Sequence, residues 1–315
     1  MDGGLNGPGP TVALEGTHES GEAVIILGSD APIQIFRRSS RIEKEILERI
    51  HLEKFRFDSL LRSGEVPFED VRQGADPPDF AVLVDGETSH LDCAALTLQS
   101  RRTAYQLFRS LRNEIMQCAK SVDFGSVGGC VLHITFGEGA DLPPKRGDKR
   151  ALKKIVQSIA QFPDRRQEIV NLTNVIVAQG GMPERLPLDM LTGQAPDDLA
   201  LFSVNLVPDG SLTGAFYEAT GFECALGMSF EVTHDSTFAE LSRVISQHDQ
   251  ESIDHLLITV GGPDREGYVY PGEEFLHRFA RDYRPTCTHL RRVTLHSFMT
   301  GEITDLVIDR AAATS

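Results

Sequence analysis

Two aspartates in a predicted β-hairpin carry the clearest chemical signal in this chain. Asp79 precedes a short apolar run, residues 80–84, and Asp92 lies late in a second run, residues 87–96. The Asp85-Gly86 pair between the runs suits a type I′ turn, which needs a positive φ at both central positions. We therefore predict two antiparallel strands with one carboxylate each. Carboxylate oxygens are the ligands that hard divalent cations prefer, so the pair is a candidate metal site.

The surroundings of each aspartate leave a structural role open beside the metal-binding one. Asp92 lies in the run Leu-Asp-Cys-Ala-Ala-Leu. A buried carboxylate there needs a metal ion, an arginine or a network of hydrogen bonds, because burying an unpartnered charge is costly. Asp79 follows two prolines and is equally typical of a turn or of the start of a strand. Both residues are thus compatible with a metal or nucleic-acid site and with a purely structural one.

The order of these residues resembles the PD-(D/E)XK nuclease superfamily. The similarity lies in Pro78-Asp79, the hairpin, and then Leu91-Asp92-Cys93-Ala94. It implies an α/β fold with a mixed central sheet flanked by helices, around a restriction-endonuclease-like core. It also implies Mg²⁺ as cofactor, held by Asp79 and Asp92, and metal-dependent phosphodiester hydrolysis of nucleic acid.

The resemblance departs at the lysine of the motif, because Ala94 stands at the matching position. That departure leaves two alternatives. The first is a non-catalytic member of the fold that acts as a binding or scaffold protein. The second is an unrelated α/β protein whose hairpin acids are structural.

A long helix is predicted ahead of the hairpin, over residues 40–61. Ser40 with Glu43 three residues later forms a capping-box pattern. In the family that the chain resembles, this helix often contributes a further acid to the metal. Glu48 is the preferred match and is assigned as a catalytic residue with Asp79 and Asp92, and Glu45 is the alternative. Either glutamate is equally compatible with a position on an exposed helix face and no role at the metal.

A histidine near the second acid and a late predicted strand also bear on this candidate site. His90 lies two residues before Asp92 and therefore on the same face of the predicted strand, where it could assist a water molecule or serve the scaffold. Residues 253–260 resemble the late strand of the fold. In comparable family members the preceding helix can carry a lysine that replaces the one missing from the motif, and Gln247 and His248 occupy that stretch here.

A basic segment stands out in an acidic chain. The chain has 315 residues and a net charge of −15, which disfavours a broad nucleic-acid footprint. Residues 145–166, however, contain eight basic side chains against two acidic ones. A helix predicted over residues 148–161 carries half of these basic side chains, namely Lys149, Arg150, Lys153 and Lys154. They could contact a phosphate backbone or lie on a solvated helix face.

Apolar runs predict the remaining elements. A helix over residues 100–120 is expected to pack on the sheet after the second acid, and residues 65–77 form a polar connection. A capping box at Thr237 and Glu240 should open a later helix. Continuous apolar strands that alternate with helices favour a layered α/β fold. The strands are expected at residues 130–136, 169–177, 199–207, 214–217, 230–233, 255–260, 293–298 and 306–308.

Composition gives the domain organisation and the class of protein. Residues 1–20 should be a disordered tail, residues 21–38 a short β-hairpin extension and residues 39–315 one α/β domain, in which residues 122–230 form an insertion or a second subdomain. The chain is 40% apolar and 24% charged, which is ordinary for a globular protein. No apolar run is long enough to span a bilayer, the N-terminus lacks the pattern of a signal peptide, and the five cysteines form no close pair. We expect a cytoplasmic protein with reduced thiols, for which a protein partner and the oligomeric state are left open.

Overall fold

The computed structural model describes residues 12–18, 21–27, 32–35, 41–74, 77–136, 149–171, 192–194, 200–206, 212, 214–227 and 229–310. The described residues fall into two compact units. The hairpin unit comprises the described parts of Ala13–Ile26, Asp30–Leu98 and Phe230–Ser315. The middle unit is built mainly from the described parts of Gln99–Ser229.

A six-stranded mixed sheet forms the centre of the hairpin unit, in the order β16-β15-β12-β6-β5-β4. Strand β12 runs parallel to both β6 and β15, and the other pairs are antiparallel. This arrangement confirms the predicted α/β class with a mixed central sheet. The strands are β4 (Val71–Gln73), β5 (Phe80–Val84), β6 (Glu87–Leu96), β12 (His255–Val260), β15 (Arg292–Ser297) and β16 (Ile303–Asp305).

The predicted hairpin is present with the predicted bounds. Strands β5 and β6 pair in antiparallel register with Phe80 opposite Leu91. Asp85 and Gly86 have φ values of 51° and 81°, the left-handed conformation that the type I′ turn requires. Because Phe80 and Leu91 are fully buried, a slip of one residue would turn both towards the opposite face.

Helix α1 (Lys44–Ser63) covers the hairpin on one face of the sheet. Leu52 and Phe55 pack with Phe80 and Leu91 in one apolar cluster. The helix ends at Gly64, whose φ of 77° is the left-handed conformation typical of a C-terminal cap. At its other end Glu43 makes no side-chain cap, and the predicted capping box involves Ser40, which lies outside the described residues.

Helices α5 (His234–His248) and α6 (Glu274–Ala280) pack on the opposite face of the sheet. Their side chains cluster with Leu256 and Ile258 of β12, whereas Leu257 joins the cluster under α1. Alternate residues of a strand point to opposite faces, so the sheet is covered by helices on both sides.

The middle unit contains a second sheet, in the order β10-β7-β9-β8. Its strands are β7 (Cys130–Thr135), β8 (Thr192–Gln194), β9 (Leu201–Leu206) and β10 (Glu223–Leu226). Its helices include α2 (Gln99–Cys118), α3 (Lys149–Ala160) and α4 (Ala215–Thr220), and residues 166–171 are also helical. Helix α2 contacts α3, α4 and β10. Helix α2 was expected to pack on the sheet after the second acid, and the structure places it in the middle unit, whose main segment begins at Gln99.

Several local predictions differ from the structure. Residues 214–217 were predicted as a strand, yet Gly214 and Gly221 bracket helix α4, whose Phe216 is buried. Residues 169–171 are helical, and the rest of the predicted strand 169–177 lies outside the described residues. The predicted strand 306–308 is irregular, and β17 (Asp309–Arg310) follows it.

Caps and short strands account for the other differences. Thr233 rather than Thr237 caps helix α5, because the hydroxyl of Thr233 accepts from the backbone N–H of Ser236 and Thr237 is fully buried. Strand β4 lies in the segment predicted as a polar connection. Strand β1 (Val12–His18) lies in the segment predicted as a disordered tail, and it joins β2 (Gly21–Leu27) and β11 (Ser229–Thr233) in a small sheet.

The short strands β3 (Ile33–Gln34) and β13 (Tyr268–Val269) form a two-stranded pair, as do β14 (Thr286–Cys287) and β17. None of the described helices combines the length and the apolar character that a membrane-spanning helix needs.

Candidate functional site

The hairpin brings Asp79 and Asp92 together in the interior of the hairpin unit. Their relative exposures are 2% and 5%. The backbone N–H of Asp79 donates to Oδ1 of Asp92 over 3.1 Å, and the backbone N–H of Cys93 donates to Oδ2 of Asp79 over 2.9 Å. Each carboxylate therefore binds the backbone of the strand segment that carries the other.

Helix α1 adds an acid and a base to this pair. Lys44 and Glu48 lie one helical turn apart, and Nζ of Lys44 is 3.3 Å from Oε1 of Glu48 and 3.5 Å from Oδ1 of Asp79. One ammonium thus joins two carboxylates from different elements. Glu48 is buried and shares Lys44 with Asp79, whereas Glu45, the alternative candidate, is exposed.

Helix α5 contributes a second basic side chain. His248 is the last residue of the helix, and its Nδ1 lies 2.5 Å from Oδ2 of Asp92. We define the acid cluster as Lys44, Glu48, Asp79, Asp92 and His248. It joins three elements: the helix before the hairpin, the hairpin itself and the helix before β12.

The two aspartates differ in their proton affinity. Burial raises the pKa of Asp79 to about 7, and a hydrogen bond with Asp92 adds to the rise, although the N–H of Cys93 opposes it. Burial also favours the neutral form of Asp92, but hydrogen bonds from His248 and Asp79 outweigh it and lower the pKa of Asp92. The pair therefore holds its charge mainly on Asp92.

Cys93 lies beside the acid cluster but is not a candidate nucleophile. Burial raises the pKa of its thiol well above the ordinary value, and the charges of Asp79, Glu48 and Asp92 raise it further. Only the thiolate is strongly nucleophilic, so this thiol is inert at neutral pH.

The donor chemistry of the acid cluster fits Mg²⁺, because three carboxylates supply hard oxygen ligands. The ammonium of Lys44 already lies between Glu48 and Asp79 as a cation. No three His, Cys, Asp or Glu side chains among the described residues, however, are arranged around one point that could hold a metal ion.

His90 lies outside the acid cluster. Its side chain is 48% exposed, and its Nδ1 lies 3.6 Å from Oδ2 of Asp254. The same carboxylate oxygen accepts from the backbone N–H of His90. Asp254 therefore binds both the backbone and the side chain of His90 at the surface.

The basic side chains predicted for nucleic acid lie on α3, in the middle unit. Lys149, Arg150 and Lys153 are exposed and Lys154 is half-buried, whereas the apolar residues of the helix face inward. Farther along, Arg165 pairs with Glu168 and Arg166 with Asp164. These ion pairs reduce the local positive charge that the sequence suggested.

Two members of the acid cluster were missed or undervalued in the sequence. Lys44 lies four residues before Glu48 on a predicted helix, and that spacing places both on one face. His248 lies at the end of the helix that carries a substitute for the motif lysine in comparable family members.

Comparisons with protein-family models, with curated proteins and with solved structures gave no match to this chain.

Proposed function

We propose that the hairpin unit is a restriction-endonuclease-like core that hydrolyses phosphodiester bonds of nucleic acid with the help of a divalent cation. The observation that carries the proposal is the position of Lys44. The motif lysine is absent at Ala94, but an ammonium from α1 reaches the acids instead, within 3.5 Å of both Glu48 and Asp79. The acid cluster thus contains every residue type that the reaction needs.

Each residue of the cluster has a definable task in this reaction. Asp79 and Asp92 would hold Mg²⁺, and Glu48 would assist them. A bound Mg²⁺ supplies positive charge for the developing phosphoryl oxygens and lowers the pKa of its bound water. Lys44 would bind the attacking water or the phosphate by its N–H donors.

His248 supports the site by fixing one ligand. Its hydrogen bond holds the Asp92 carboxylate in one orientation and in its ionised form. An ionised, oriented carboxylate is the form that binds a cation. His248 is therefore a positioning residue rather than a catalytic one.

A specific observation also favours a second candidate function, a non-catalytic binding or scaffold role for the same fold. Every carboxylate oxygen of Asp79 and Asp92 already has a partner: Lys44, the N–H of Cys93, the N–H of Asp79 and His248. Such a network satisfies the buried charges without a metal ion, and the absence of a three-ligand group among the described residues agrees with it.

Nucleic acid is the proposed partner, and the exposed basic face of α3 is a proposed contact. Lys149, Arg150 and Lys153 would bind phosphate oxygens without reading sequence. Their contribution should therefore fall as salt rises.

A cleavage assay separates the two candidate functions. Labelled single- and double-stranded DNA and RNA are incubated with the protein in Mg²⁺ or Mn²⁺, and with Asp92→Asn and Lys44→Gln variants. Asp70→Asn is the matched control, because Asp70 is an exposed acid of the same unit whose partner is the exposed Arg72. Cleavage that both site variants lose and the control keeps supports the nuclease. Intact nucleic acid with every cation would overturn it in favour of the scaffold role.

A further inference from the structure

An open pocket lies along helix α1 beside the acid cluster. It has a volume of about 500 Å³, within the range of small-ligand sites. We name it the α1–β4 pocket, and its lining comprises Glu45, Ile46, Arg49, Ile50, Glu53 and Gln73. Glu45 and Arg49 directly follow Lys44 and Glu48 in the chain, and Nε2 of Gln73 donates to the backbone oxygen of Asp79 over 3.0 Å. The pocket is thus tied to the strand end that carries Asp79.

The lining combines apolar surface with a fixed, flat cation. Ile46 is 40% exposed although it is a large aliphatic residue, so the pocket presents apolar surface to solvent. The guanidinium of Arg49 lies 5.9 Å from the centre of the Phe80 ring and bonds to Glu53 through Nε at 2.9 Å. A guanidinium plane held in this way is a surface on which a nucleobase stacks.

The lining also contains two carboxylates. Glu53 is paired with Arg49 and also binds Arg56, at 2.8 Å, and Glu45 adds a second carboxylate, which is exposed. A carboxylate accepts hydrogen bonds from an exocyclic amino group such as N4 of cytosine. The matching ligand is a flat, neutral ring that bears an amino group.

We propose that the α1–β4 pocket binds an unpaired, amino-bearing nucleobase next to the nucleotide that the acid cluster attacks. The inference rests on the proposed function and deepens it, because it names a single-stranded or locally unpaired strand as the substrate. In a duplex the amino group of cytosine is engaged by its partner, and the ring is stacked between its neighbours. The pocket would therefore select bases that are already out of the helix.

The test measures binding without any metal, so that it does not depend on catalysis. Short fluorescent oligocytidylate and oligouridylate are titrated with the protein in EDTA, and binding is followed by anisotropy. The two oligomers differ at the pyrimidine 4-position, amino in one and carbonyl in the other. We expect at least fivefold tighter binding of oligocytidylate.

Two variants of α1 locate the effect. Ile46→Glu places a charge in the pocket and should weaken oligocytidylate binding at least tenfold. Leu61→Glu places the same charge at a 68% exposed position outside the pocket lining and should leave binding unchanged. Circular dichroism and a thermal melt verify that each variant folds.

The outcomes separate this inference from the proposed function. Equal affinity for the two oligomers, or equal effects of Ile46→Glu and Leu61→Glu, would overturn the pocket assignment. Metal-dependent cleavage together with either result would retain the nuclease and reject the pocket. A preference for oligocytidylate that Ile46→Glu abolishes, without cleavage in any metal, would retain nucleobase binding and reject the nuclease.

Discussion

The imidazole Nδ1 of His248 lies 2.5 Å from Oδ2 of Asp92, although 156 positions separate the two residues. The contact joins the end of α5 to the middle of β6 and lowers the pKa of Asp92. A carboxyl with a depressed folded pKa contributes stability that is present above its unfolded pKa and is lost as the pH falls.

His248→Gln should therefore lower the free energy of unfolding at pH 7. Hydrogen bonds to charged groups contribute about 1.5–3 kcal/mol. The side chain of His248 is 26% exposed, so we expect the lower part of that range. Urea titrations at pH 7 and in acid should show that the difference from the unsubstituted protein shrinks as Asp92 becomes protonated.

His90→Gln is the matched control for this prediction. It removes another histidine beside an aspartate, but at 3.6 Å and on an exposed side chain. Surface pairs of this kind contribute little to stability. Equal losses from His90→Gln and His248→Gln would contradict the role assigned to the His248–Asp92 contact.

Lys44→Gln should reduce the cleavage rate without weakening the binding of the metal ion. Removing the ammonium beside Glu48 and Asp79 removes a competing positive charge, so Mn²⁺ should bind as tightly or more tightly. Cleavage should fall by about 10²-fold or more, the usual contribution of a general acid or base. Calorimetry and an assay at saturating metal measure the two effects separately.

Arg41→Gln controls for the general loss of a cation, because Arg41 pairs with Glu266 through an exposed side chain, 3.4 Å away. It should leave both quantities unchanged. Weaker metal binding and unchanged cleavage in Lys44→Gln would show that Lys44 does not replace the motif lysine.

Acid should destabilise the hairpin unit partly through His296. Its side chain is fully buried, and burial lowers its pKa to about 4 from 6.5, despite a 2.7 Å hydrogen bond with Asp58. The folded pKa lies below the unfolded one, so stability is present above pH 6.5 and is lost as the pH falls towards 4. The loss can reach about 3 kcal/mol.

His296→Gln should flatten that dependence, because glutamine can donate to Asp58 without titrating. Urea unfolding between pH 7 and pH 4 measures the slope. A remaining slope is expected from His255, since burial lowers its pKa to about 3. An unchanged slope in the variant would show that His296 is not the titrating group.

Gly301 is constrained by the same buried aspartate. Its φ is +67°, and an added Cβ would lie 3.0 Å from Cγ of Asp58. Gly301→Ala should therefore destabilise the protein by about 1–2 kcal/mol for the left-handed backbone and by a further amount for the clash. Gly64→Ala, at φ +77° with no atom within 4 Å of the added Cβ, should show the backbone cost alone. Equal melting temperatures for the two variants would contradict the close packing at Asp58.

The sequence predicted the elements that local chemistry defines. The hairpin followed from two apolar runs with Asp85-Gly86 between them, and β12 followed from one continuous apolar run. Both elements have the predicted bounds. The family resemblance suggested Glu48 as a further acid near the aspartates, and in the structure Glu48 shares Lys44 with Asp79.

Contacts between elements that are distant in the chain determine the features that the sequence did not predict. Phe216 and Tyr217 favour a strand by composition, but the flanking glycines Gly214 and Gly221 bound a helix there. Helix α2 has an ordinary apolar stripe, and nothing in that stripe states which unit it packs in. His248 reaches Asp92 only because α5 and β12 return the chain to β6, a relationship that periodicity does not reveal.

Isothermal titration with Mg²⁺ or Mn²⁺ tests the central claim most directly, with Asp92→Ala as the site variant and the exposed Asp70→Asn as its control. We predict that the unsubstituted protein and Asp70→Asn bind the cation and that Asp92→Ala does not. Absence of binding to the unsubstituted protein, or equal binding to all three, would contradict a metal site at Asp79 and Asp92.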